Sequence, residues 1–133
     1  YILAQKNKVH NYNNMWKTFL KVLVILLVVD SVYLFLVGGW AQTMVVKIQR
    51  VYSPVRLWSA AVTYVLLALG LTYFIVEPKK TLWEAALLGL VIYGVFDFIN
   101  MAMFKHYDMR FALTDTAWGA VLSALTVGLA KSI

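Results

Sequence analysis

Four long apolar stretches, each bounded by polar or basic residues, organise the chain. The first runs from about Phe19 to Val37 as a nearly unbroken Leu, Val and Ile series, and Gly38 and Gly39 are expected to end it. From Leu57 to Val76 there are 20 residues without a charge. A turn, Glu77-Pro78-Lys79-Lys80, leads to a third stretch over 82–104, and a six-residue link, Lys105 to Arg110, leads to a fourth over 111–130. Runs of this length cross ~30 Å of hydrocarbon as helices, because only a helix satisfies every backbone N–H and C=O where water is absent. The short link makes the third and fourth spans adjacent antiparallel neighbours.

Between the first two spans the pattern changes. Met44, Val45, Ile48, Val51 and Tyr52 recur at helical spacing, opposed by Gln42, Lys47, Gln49 and Arg50, and Pro54 stops the run. This predicts an amphipathic helix over 41–56 lying in the membrane interface. Residues 1–17 are polar and asparagine-rich, with Lys6, Lys8 and Lys17 and no acid, and are expected as a solvated or headgroup-bound lead-in. The expected class is therefore all-α: a single membrane domain over 18–133, a four-helix transmembrane bundle with an interfacial helix after the first span.

Composition agrees: of 133 residues 62% are apolar and only 14% charged, where a soluble domain carries nearer a quarter charged. The formal charge of +6 acts first on topology and lipid headgroups, not on nucleic acid. Lys17, Lys21, Lys47, Arg50, Arg56, Lys105 and Arg110 are the expected headgroup contacts, with Lys21 snorkelling from inside the first span. An even number of spans puts both termini on one side. Seven basic residues there (Lys6, Lys8, Lys17, Lys21, Lys79, Lys80, Lys131) against five opposite (Lys47, Arg50, Arg56, Lys105, Arg110) favour the cytoplasmic or an equivalent face. The first apolar run starts too late and continues too long for a signal-peptide core.

Without cysteine there is no thiol nucleophile, disulfide or thiolate ligand. His10 and His106 stand 96 positions apart with no acidic ligand set beside them, so neither a metal nor a cofactor is expected. Trp16, Trp40, Trp58 and Trp83 fall at span edges, where indoles prefer the headgroup layer; Trp118 alone lies inside a span beside an acid.

The informative groups are Asp30, Asp97 and Asp115, each inside a span, where a lone carboxyl costs ~3 kcal/mol and must find a partner or cavity. Because consecutive spans alternate in direction, all three lie toward the face that carries the 38–56 and 105–110 loops. Counting ~1.5 Å per residue puts Asp30, Asp97 and Trp118 in one tier and Tyr33, Asn100 and Asp115 in a second, nearer the surface. Asp30 and Tyr33, then Tyr93, Asp97 and Asn100, then Asp115, Trp118 and Gly119 each share a helix face. The expected cluster has the Trp118 indole donating to Asp97 and the Asn100 amide to Asp115, with Asp30 and Tyr33 closing it from the first span. Two donors facing three acids leave a deficit, to be met by a proton, a water, a cation, or Lys105 or Arg110.

Interhelical hydrogen bonds of ~0.6 to 2 kcal/mol commonly do no more than hold spans together, and that ordinary reading comes first. A proton or cation path is the alternative. Two acids on adjacent helices also suit an intramembrane aspartyl protease. Its Gly-x-Gly-Asp motif is absent, however: the stretch here is Tyr93-Gly94-Val95-Phe96-Asp97.

The series Asp30-x-x-Tyr33-Leu34, Tyr64, Tyr93-Gly94-x-x-Asp97-x-x-Asn100 and Asp115-x-x-Trp118-Gly119 resembles a family of small four-span membrane proteins described as a domain of unknown function. The likeness covers about residues 20 to 128 and implies members in bacteria, algae and large DNA viruses. Tyr33 stands where that family usually has tryptophan. The resemblance implies the four-span topology and marks the polar cluster as a shared feature, without supplying an activity. The expected function is a non-enzymatic structural or accessory component of a larger membrane assembly, such as a virion inner membrane or organelle complex, with the bilayer and either other proteins or further copies as partners. The alternative is a small proton-coupled or cation-conducting carrier that uses the three aspartates.

Overall fold

A computed structural model describes the backbone of residues 2–51 and 54–133, and the side chains of residues 2, 14–51 and 54–133. Its four helices are α1 (Ile2–Gln49), α2 (Leu57–Leu71), α3 (Leu82–Met103) and α4 (Met109–Ser132). α2 continues into a π-helical turn, Thr72–Val76, so the second apolar run is helical along its whole length. Each helix is long and apolar enough to cross a membrane.

α1 departs from the expected layout. It passes through Gly38 and Gly39 unbroken, so the first span and the first part of the expected interfacial helix are one element, and residues 54–56 are not helical. A glycine inside a helix costs about 1 kcal/mol. Continuing the helix keeps the backbone N–H and C=O groups around Gly38 and Gly39 paired, and the docking of the following turns on the α3–α4 link offsets that cost. The chain turns only after Gln49, where Arg50 adopts φ 61°. Tyr52, one of the residues assigned to the interfacial helix, lies outside the described residues, as do the side chains of Lys6, Lys8 and His10.

The apolar part of α1, Asn14–Gln49, has 36 residues, ~54 Å at helical rise, against ~30 Å of hydrocarbon. Trp16 and Trp40, both exposed, are ~36 Å apart along the axis and mark the two headgroup layers. Beyond Trp40 the helix docks on the α3–α4 link. Met44 is buried and its Sδ accepts from the Asp108 N–H at 3.3 Å, while Trp40 meets Phe111 edge-on at 5.4 Å.

A Cβ added at Gly38 or Gly39 meets nothing within 4 Å. Gly38→Ala is therefore expected to keep the fold and raise stability by about 1 kcal/mol, the helix-propensity difference. Unfolding in detergent checks this, and a destabilised variant would contradict a continuous α1.

α4 is the central helix. Its buried residues Phe111, Ala112, Asp115, Gly119, Leu122, Ser123, Thr126, Val127 and Ala130 form a broad stripe at 3–4-residue spacing. One side of that stripe packs on α3 and the other on α1, and α1 in turn carries α2. α2 and α3, on the two flanks, scarcely touch. Val22, Leu26, Leu71, Leu122 and Val127 fill the lower core. Local signals start and stop the helices: Thr81 and Glu84 form a capping box at α3, and Asp108 accepts from the Arg110 N–H at the start of α4.

Candidate functional site

The α3–α4 contact sets the geometry of the polar cluster. Gly89 and Gly119 face each other so closely that a Cβ on Gly89 would come within 2.1 Å of the Gly119 carbonyl oxygen. The Tyr93 ring lies over Gly119, and Thr116 packs beside Gly94. One turn further, Asp97 is fully buried and receives the Thr116 hydroxyl at 3.4 Å.

Asp115, Trp118 and Gly119 share a broad face, but a helix held between two neighbours divides that face. Gly119 and Thr116 go to α3, Trp118 goes to α1, and Asp115 sits between them. The Trp118 indole therefore donates to Asp30 Oδ1 at 2.8 Å, not to Asp97. The Tyr33 hydroxyl donates to Asp115 Oδ1 at 2.9 Å, in the place expected for Asn100. Asn100 is half-buried and lies beside the Tyr107 hydroxyl.

α1 and α4 are antiparallel, and each carries an acid three residues before an aromatic donor. Asp30-x-x-Tyr33 and Asp115-x-x-Trp118 thus meet head to tail, the acid of one against the donor of the other. The two donor rings stack at 4.6 Å with an 8° interplanar angle, which joins the two bonds into one unit. The Tyr64 hydroxyl on α2 donates to Asp30 Oδ2, so both oxygens of that carboxylate are occupied.

The remaining donor comes from the α3–α4 link. Tyr107 folds back and donates to Asp97 Oδ1 at 2.7 Å. Burial pushes its phenol above the ordinary tyrosine value, and the Asp97 carboxylate that accepts the bond pushes it the same way, so the group stays a donor at physiological pH.

The spacing rules therefore identified the acids and two of their donors and missed three others. Tyr64 was visible as a polar residue in a charge-free span, and Thr116 as a residue one turn from Asp115. Tyr107 sits in a loop, where helical periodicity says nothing. Lys105 and Arg110 are exposed, and the donors found are hydroxyls and an indole. Lys17, Lys47, Arg50 and Arg56 are exposed as well. Lys21 differs from its expected headgroup contact: it is part-buried, and its Nζ donates to the Ala130 carbonyl at 3.2 Å, tying α1 to the end of α4. Among the described residues no group of three His, Cys, Asp or Glu is placed to hold a metal ion.

Tyr93 makes no hydrogen bond among the described residues. With Thr63, Leu66, Leu67, Ile92, Phe96 and Asp115 it lines a cleft of about 430 Å³ between α2 and α3.

The chain belongs to the family described as predicted membrane protein (DUF2177), whose model matches residues 15–131. No curated protein and no solved structure matches it.

Proposed function

We propose that this protein is a non-enzymatic structural or accessory component of a larger membrane assembly, with the aspartate cluster serving as its internal lock. The observation that carries the reading is that each of the three acids accepts a hydrogen bond from another segment: Asp30 from α2 and α4, Asp115 from α1, Asp97 from the α3–α4 link and α4. Four helices with short connections need such bonds to fix their order and register, since lipid offers no hydrophobic drive for helix pairing. The stacked Tyr33 and Trp118 rings fill the space between Asp30 and Asp115, where a carrier would need water. The reading assigns no catalytic residue and no cofactor. It puts both termini on the cytoplasmic or equivalent face, following the excess of basic residues there, and the assembly in a virion or organelle membrane.

Extraction from the native membrane in mild detergent, followed by native gel and mass spectrometry, is expected to recover a partner at fixed stoichiometry. Recovery as an isolated monomer would overturn the assembly role. One observation favours a second reading, a proton-coupled carrier: Asp97 and Asp115, on the neighbouring helices α3 and α4, are both buried, and acids inside spans are the usual mark of a proton path. Asp97→Asn separates the two. The lock predicts lower stability in detergent and no change in proton flux across liposomes, whereas a carrier loses flux and keeps its stability.

A further inference from the structure

The cleft between α2 and α3 ends on polar atoms that the lock leaves over. Its walls, Leu66, Ile92 and Phe96, are apolar and face outward, so it opens sideways into the bilayer. Asp115 is among its lining residues, only 8% exposed and ~9 Å along α4 from the start of that helix. Asp115 takes one donor, Tyr33, on Oδ1; among the described residues no other side-chain donor and no cation touches it. The Tyr93 hydroxyl beside it has no partner among the described residues. Carboxylate and phenol oxygens with lone pairs left over in a low-dielectric setting are complemented by a hydrogen-bond donor.

We propose that this cleft binds a single-chain amphiphile with a donor head, an amine or a hydroxyl, which enters from the lipid with its chain along Leu66, Ile92 and Phe96 and its head on Asp115 and Tyr93. The volume lies within the ~300–1,000 Å³ of small-molecule sites. One turn of a helix ~10 Å wide would already fill it, too short a contact to hold a partner chain.

The site is independent of any assembly role, and its test uses the purified full chain alone. Detergent-solubilised protein is incubated with n-dodecylamine, n-dodecanol or laurate, and bound molecules are counted by native mass spectrometry. The expected result is one amine or alcohol per chain, retained at least tenfold better than laurate. Asp115→Asn is expected to reduce amine binding at least tenfold. Because that change also touches the lock, Leu66→Trp, at an exposed position that fills the cleft, provides a second variant; it is expected to fold normally and bind neither ligand. Equal retention of amine and laurate, retention of neither amine nor alcohol, or binding unchanged by Leu66→Trp overturns the proposal.

Discussion

Gly89→Ala is expected to destabilise the protein by about 3 kcal/mol, enough to abolish its accumulation in the membrane. The added methyl would sit 2.1 Å from the Gly119 carbonyl oxygen, 2.2 Å from Ser123 Oγ and 2.7 Å from Ser123 Cβ. The serine hydroxyl can rotate away, but the carbonyl belongs to the α4 backbone and cannot. The helices must therefore separate by about 1 Å, against a packed core in which every neighbour is already in contact. Gly119→Ala meets the same obstacle from the other side, with the Tyr93 ring carbon Cγ at 2.4 Å and the Gly89 carbonyl oxygen at 2.7 Å. Separation would also draw Asp97 away from Thr116 and Asp115, so the cluster loosens with the interface. The control is Gly38→Ala, the same chemical change in an open stretch of α1, where the sign is opposite. Thermal or denaturant unfolding in detergent compares the three variants, and a Gly89→Ala protein as stable as the wild type would mean that α3 and α4 do not pack this closely.

The same contrast explains what can be read in the chain and what cannot. Spans were legible because hydrocarbon thickness imposes a length: the apolar runs over 57–76, 82–104 and 111–130 match helices within two residues at each end. The first helix outruns its span because Gly38 and Gly39, at the level of Trp40, do not break it. Beyond that level α1 runs on until it docks on the α3–α4 link. The acids of the cluster were legible for a related reason, since a carboxyl in a span is costly enough to stand out. Their partners were less so. Spacing says that Asp115 and Trp118 share a face; it does not say that α1 and α3 divide that face between them, which decides that Trp118 bonds Asp30. Tyr107 depends on how a six-residue link folds back, a matter of tertiary packing.

The reciprocal α1–α4 pairing carries the second large effect. Asp30→Ala removes the acceptor of two donors and leaves the Trp118 N–H and the Tyr64 O–H unpaired among apolar neighbours, so a loss of about 2–3 kcal/mol is expected. The cost of a broken buried bond lies mainly in the orphaned partner. Asp30→Leu combined with Trp118→Phe and Tyr64→Phe, which removes the whole polar set, is therefore expected to recover much of that loss. A double-mutant cycle on Asp30→Ala and Trp118→Phe isolates the bond itself, with an expected coupling of about 1 kcal/mol. A parallel cycle on Tyr33→Phe and Asp115→Ala keeps the ring stack and removes the hydrogen bond. If the two α1–α4 bonds act as one unit through the Tyr33–Trp118 stack, breaking either should weaken the other, and the coupling measured in one cycle should fall when the second is already disrupted. Strict additivity across both cycles would instead mean four independent side chains. The acids would then have no shared structural task, and a role in moving protons would become the main reason to place them in a membrane.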